Sequence, residues 1–186
     1  MIEILEITDN FKSNFVKPHL MKYKQDGKIK SWEIVDVHDS VAILLFHKEK
    51  NAFVLVKQFR PAIYMKNRDG FTYELCAGLV DKDKSLVQIA KEEILEECGF
   101  DVPIESIKEI TEFYTSVGFA GGKQSMFFAE VSEIQKVDEG GGIGDEQIEV
   151  LYLPIKEANR FMFDKSKVKT PGLLFSFLWY FSSFSS

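Results

Sequence analysis

Both ends of one helix can be read directly between Ser85 and Gly99. Ser85 is a good N-cap, and Gln88 three residues on completes a capping-box pattern. Leu86, Ile89, Ala90 and Ile94 recur at helical spacing and form one apolar stripe. Gly99 suits the left-handed position just past the last turn. A helix with a single apolar stripe must lay it on another layer of structure. The chain supplies that layer as short runs of strand-forming residues. Val41-Ala42-Ile43-Leu44-Leu45-Phe46 and Ala52-Phe53-Val54-Leu55-Val56 flank Lys48-Glu49-Lys50-Asn51, which predicts a hairpin of strands buried on both faces. Further strands are expected at Ser31 to Val37, Ile107 to Phe113, Gln124 to Val131 and Ile148 to Leu153. Thr170-Pro171 opens a last, aromatic helix, with Thr as cap and Pro in the first turn. A sheet with a few helices is an α+β pattern.

With 186 residues, 45% of them apolar, the chain can bury one sizeable core and carry an N-terminal extension. Its net charge of −6 and the lack of a Lys/Arg block argue against a nucleic-acid partner, because a phosphate backbone needs a basic surface. Cys76 and Cys98 form no CxxC pair and are expected as buried core thiols. His19, His38 and His47 have no ligand spacing. Met1-Ile2-Glu3 lacks the basic start of a signal peptide. The apolar run Leu173 to Phe181 is too short to cross a bilayer. No membrane partner and a cytoplasmic location are therefore expected.

The Ser85 helix carries Glu92, Glu93, Glu96 and Glu97. Glu93 and Glu97 lie one turn apart on one face, as do Glu92 and Glu96. Carboxylates stacked in this way repel, and a divalent cation with hard oxygen ligands offsets the repulsion. The alternative is a solvated acidic face.

The flanking residues favour the metal. Gly78 before the helix, then Glu93, Ile94, Glu96, Glu97, Gly99 and Phe100, fall in register with the signature box of the Nudix hydrolase family, which this segment resembles. Two positions depart from it: Lys84 stands where the box has Glu, and Glu92 where it has Arg. Since both signs are reversed together, Lys84 and Glu92 are expected to form an ion pair that pins the loop to the helix. The resemblance implies a mixed β-sheet sandwiched between helices. It divides the chain into a β-rich extension at 1–40, serving dimerisation and part of the substrate site, and a hydrolase domain at 41–186. It implies Mg²⁺, with Mn²⁺ as the alternative, held by Glu93, Glu97 and the Ala77 backbone carbonyl. Glu96 would assist as a second-sphere or second-metal carboxylate.

Lys57-Gln58-Phe59-Arg60-Pro61, Glu74-Leu75-Cys76-Ala77-Gly78 and Ser31-Trp32-Glu33 are similar to the ADP-ribose and UDP-sugar pyrophosphatase branch of that family. Val117, in place of a proline in Ser116-Val117-Gly118, tilts the resemblance toward UDP-sugars. The implied activity is metal-dependent hydrolysis of a nucleotide-sugar diphosphate, UDP-glucose giving UMP and glucose 1-phosphate, by a homodimer. An ADP-ribose pyrophosphatase and a non-catalytic nucleotide-sugar-binding protein are the alternatives. Arg60 suits bidentate phosphate binding, or else a structural salt bridge. Trp32 would stack on a nucleobase, or pack in the core or a dimer interface. Glu74 would hold substrate or metal, or cap a strand end. The segment Glu139 to Gly144 is expected to be a mobile glycine-rich loop. Glu146, just after it, is the expected general base, with Asp145 as its rival.

Overall fold

The computed structural model describes residues 2–8, 13 and 16–184. The chain opens with an antiparallel hairpin, β1 (Lys17–Gln25) and β2 (Lys28–Asp36), which forms a two-stranded sheet of its own. Asp26 and Gly27 turn it, both at positive φ (52° and 77°), as an Asp-Gly two-residue hairpin requires. The hairpin leans on the body of the protein through the Val35 N–H, which donates to the Phe119 carbonyl at 2.7 Å.

A seven-stranded mixed sheet follows. β3 (Ser40–His47) and β4 (Ala52–Phe59) pair only beside their turn, from Leu45↔Val54 to His47↔Ala52. Beyond that point the two strands splay apart. The chain fills the opening with β5 (Phe71–Glu74), which pairs with the far half of β4, and β6 (Cys76–Leu79), which pairs with the far half of β3. A short helix, α1 (Pro61–Asn67), links β4 to β5 with Pro at its start. β8 (Lys123–Val131) runs parallel to β3 along its whole length, and β7 (Lys108–Tyr114) closes that edge. β9 (Glu149–Pro154) lies on the outer side of β4.

Both faces of this sheet are covered, as the unbroken apolar runs require. Val41, Ile43 and Leu45 point to one core, which receives Ile89, Ala90 and Ile94 of α2 (Leu86–Cys98). The alternate residues Ala42, Leu44 and Phe46 point to a second core, under α3 (Ile155–Phe163) and α4 (Pro171–Phe184). This is the two-residue period of a strand. Phe53 stacks on Phe177 there, with ring centroids 4.5 Å apart. Among the described residues no helix is long and apolar enough to cross a membrane.

The α2 ends match the expectation. The Ser85 Oγ accepts from the Gln88 N–H, the Gln88 side chain accepts from the Ser85 N–H at 2.9 Å, and Gly99 caps the last turn at φ 70°. The glycine-rich segment differs from the expected mobile loop, because its backbone is docked on the end of α2. Gly141 N–H donates to the Glu97 carbonyl at 2.9 Å and Gly142 N–H to the Glu96 carbonyl at 3.0 Å. These carbonyls have no partner within the helix. Gly140, at φ 69°, lies so close that a Cβ would fall 2.3 Å from the Glu97 carbonyl oxygen.

Candidate active site

The splay between β3 and β4 positions the site. It brings the β6 backbone under the C-terminal half of α2, where Glu93, Glu96 and Glu97 project. Glu97 is only 5% exposed. Its Oε2 accepts the Ala77 backbone N–H at 2.9 Å. Glu93 crosses directly over Gly78, where an added Cβ would lie 2.0 Å from its Oε1. Gly78 is therefore glycine because the carboxylate occupies the space of a side chain.

β4 and β5 supply the opposite wall. Their pairing places Arg60 beside Glu74, and the guanidinium donates twice, Nε to Oε1 at 2.8 Å and Nη2 to Oε2 at 2.7 Å. Thr72 Oγ1 also contacts the Glu74 carboxylate. Of the two expectations for Arg60, the ion pair is the one formed here, although the residue still faces the cleft. Burial pushes the Glu74 carboxyl up, but the hydrogen bonds from Arg60 and Thr72 outweigh it and leave the carboxyl below its ordinary value. Arg60 is raised in turn, first by that hydrogen bond.

Glu146 completes the ring from the loop docked on α2. Its Oε2 accepts the Ile143 N–H at 2.9 Å, and Gly142 leaves room for it, since a Cβ there would fall 2.6 Å from the same oxygen. Arg60, Glu74, Ala77, Glu93, Glu96, Glu97 and Glu146 thus line one cleft of about 520 Å³. Asp145 does not line this cleft; it lines an adjoining depression with Ile2, Glu3 and Phe59, and Glu146 borders both. Trp32 does not join them. It sits on β2, 54% exposed, and its Nε1 donates to the Gly118 carbonyl at 2.6 Å. Asp81, Lys82, Gln58, Ser40 and Gln124 line the cleft without having been expected there. Asp81 and Lys82 had a signal, since they follow closely on Gly78. Ser40 and Gln124 are joined only by the β3–β8 pairing, where the Gln124 amide donates to Ser40 Oγ at 3.1 Å.

The carboxylates strain against one another. Burial is the main cause of the rise in the Glu97 carboxyl to about 8; the charges of Glu93 and Glu146 add to it, while the Ala77 N–H and Cys76 oppose it. Glu93 is also raised, by burial and then by Glu96. A divalent cation would relieve this repulsion. Among the described residues no three His, Cys, Asp or Glu side chains converge closely enough to hold a metal ion unaided. The donors instead fit a hard cation with a shared shell, completed by backbone carbonyl, water and substrate oxygen.

Lys84 and Glu92 are ion-paired, and Lys82 approaches the same carboxylate from 3.4 Å. The two departures from the box therefore face one another at the entry to α2.

The chain is similar in sequence to known pyrophosphatases. The uridine diphosphate glucose pyrophosphatase of Bos taurus is 37% identical over 91% of this chain and 90% of its own length. That of Mus musculus is 35% identical over the same shares. The GDP-mannose pyrophosphatase of Escherichia coli is 37% identical over 84% of each chain. The NUDIX domain profile matches residues 36–170, a span that takes in both walls of the cleft and the docked loop, and the chain belongs to the Nudix family of hydrolases.

Proposed function

We propose that this chain hydrolyses the diphosphate of a nucleoside diphosphate sugar, with UDP-glucose giving UMP and glucose 1-phosphate. The observation that carries this reading is the single cleft in which Glu93, Glu96, Glu97 and Glu146 face Arg60 and Glu74. The substrate class is supported by the relatives, whose names specify UDP-glucose and GDP-mannose.

Glu93 and Glu97, with the Ala77 carbonyl, would hold Mg²⁺, and Glu96 would support them from the next position along α2. Bound there, the ion neutralises diphosphate charge and acidifies water. Arg60, held in plane by Glu74, presents its remaining donors to a phosphate oxygen. Glu146 keeps one oxygen on the Ile143 N–H and offers the other to a water. It takes the proton as the water oxygen bonds to phosphorus and the bond to the bridging oxygen breaks. The bridging oxygen leaves on the second phosphate, so one water and one diphosphate become two monophosphates.

The β1–β2 hairpin exposes Leu20, Met21, Ile29 and Trp32. Covering them is best done by a second copy, which would place Trp32 at a homodimer interface and near a nucleobase. On this reading residues 1–40 are the dimerisation and substrate extension, 41–186 are the catalytic domain, and the enzyme works in the cytoplasm.

The test is a substrate panel of UDP-glucose, GDP-mannose and ADP-ribose with Mg²⁺. kcat/KM for UDP-glucose should at least match that for ADP-ribose. An advantage of more than about tenfold for ADP-ribose, roughly 1.4 kcal/mol in transition-state stabilisation, would reassign the substrate. No product from any of the three would make the chain a binding protein.

A further inference from the structure

Among the described residues lining the cleft, six are acidic (Glu74, Asp81, Glu93, Glu96, Glu97 and Glu146) and only Arg60 and Lys82 are basic. Arg60 is committed to Glu74 by two hydrogen bonds, at 2.8 and 2.7 Å. Lys82 is held far more loosely. Its side chain is 41% exposed, and its carboxylate partner, Glu92 Oε2, is 3.4 Å away. Glu92 does not depend on it, because Lys84 pairs with the other oxygen, Oε1. The two lysines also face different ways: Lys82 lines the cleft, whereas Lys84 lines a depression on the far side of α2 with Gln88, Lys91 and Leu95. Lys82 can therefore leave Glu92 without stranding a charge.

We propose that Lys82 is a substrate-binding residue whose ammonium leaves Glu92 to Lys84 and contacts a phosphate oxygen of the bound diphosphate. The inference rests on the diphosphate reading of the cleft and adds a residue to it. Even with a divalent ion held by Glu93 and Glu97, a diphosphate entering between six carboxylates meets repulsion that Arg60, already paired, offsets only in part. A mobile point charge on a flexible stem suits a phosphate. Glu92 then serves as the resting place of Lys82 when the cleft holds no substrate.

The experiment compares Lys82→Met, Lys82→Arg, Glu92→Gln and the Lys82→Met/Glu92→Gln double variant. The readouts are UDP-glucose hydrolysis with Mg²⁺ and calorimetric binding of imidodiphosphate with Mg²⁺. Lys82→Met should raise KM about tenfold, the low end for a lost hydrogen bond to a charged group, with kcat within about threefold, the pattern of lost uniform binding. Imidodiphosphate binding should weaken by a similar factor, and Lys82→Arg should recover most of both. The same loss should persist in the Glu92→Gln background. If it disappears there, or falls on kcat instead of KM, Lys82 acts only through Glu92 and the proposal is overturned. Failure of the wild-type protein to hydrolyse any nucleotide sugar would count against the proposed function, while imidodiphosphate binding would still decide the role of Lys82.

Discussion

Glu97 reaches back from α2 to accept the Ala77 N–H at 2.9 Å, so a carboxylate only 5% exposed ties the helix to the strand beneath it. Burial, with Glu93 and Glu146 nearby, raises this carboxyl to about 8. Gln keeps an oxygen for the Ala77 N–H and carries no charge to desolvate. Metal-free Glu97→Gln should therefore melt no lower than wild type. It should nevertheless hydrolyse UDP-glucose at least about 100-fold more slowly, since an amide is a poor ligand for a hard dication. Activity within a few-fold of wild type at saturating Mg²⁺ would remove Glu97 from the metal site.

Arg60 and Glu74 should be strongly coupled. Glu74 is 8% exposed, and its ion pair holds two hydrogen bonds. Arg60→Ala leaves a buried carboxylate with Thr72 alone, and should cost about 1–3 kcal/mol in urea unfolding, below the full figure for a buried pair because Arg60 is half exposed. Arg60→Ala/Glu74→Gln should recover part of that stability but none of the activity. Additive stability losses in the double variant would show that the pair is not coupled.

His47 gives the fold an acid-side weakness. Its ring is fully buried, packed edge-on against Phe100 and Tyr152. The Lys50 N–H donates to its Nδ1 at 3.4 Å, and Glu133 lies 3.4 Å from its Nε2. Burial, then the charge of Lys50, lowers its pKa below the ordinary 6.5, outweighing Glu49, whose Oε2 lies 3.3 Å from Nδ1 and pulls the other way. Between the lowered folded value and 6.5, the unfolded chain takes up a proton that the folded one refuses. Stability from this group is thus full above 6.5 and declines as pH falls toward the folded value. Glu97, raised in the fold, has the opposite slope, so the quantity to measure is the difference in unfolding free energy between wild type and His47→Gln from pH 8 to 5. That difference should shrink on acidification; a constant difference would contradict a neutral, buried His47.

Much of this architecture is legible in local sequence, and the reasons differ by element. The α2 helix is readable because its cap, stripe and terminal glycine all lie within one stretch of chain. β3 and β4 are readable because strands buried on both faces need unbroken apolar runs. β8 is readable from its buried residues 126–129, and β9 from an apolar stretch, although it is only partly buried. β1 is not, since Lys17–Gln25 is exposed along nearly all of its length and shows no buried face; its one signal is the Asp26-Gly27 turn. β5 and β6 are four residues each and take their conformation from the splay of β3 and β4, a non-local event. At the site, the carboxylates of α2 follow from helical spacing. The Arg60–Glu74 pair requires the β4–β5 register, and the docking of Gly141 and Gly142 on α2 requires the whole fold.

The reversed charges at Lys84 and Glu92 make the last prediction. The two residues are paired at the entry to α2, and Lys84 is the main cause of the lowered Glu92 carboxyl. The pair is exposed, so global stability should hardly change when it is broken. Its value would lie in fixing the loop between Gly78 and Ser85, and with it the seating of α2 over the β6 strand that β3 holds in register. Glu92→Arg would place three cations together, with Lys82 and Lys84, and should loosen that loop. Lys84→Glu would set two carboxylates side by side, relieved in part by Lys82 at 3.4 Å from Glu92, and should be the milder change. Each should lower kcat, by about threefold or more, with a melting temperature close to wild type, as expected for a weak exposed pair that orients rather than stabilises. Lys84→Glu/Glu92→Arg restores opposite charges in the reverse order and should recover most of the rate. Losses that simply multiply in the double variant would show that the two positions act independently.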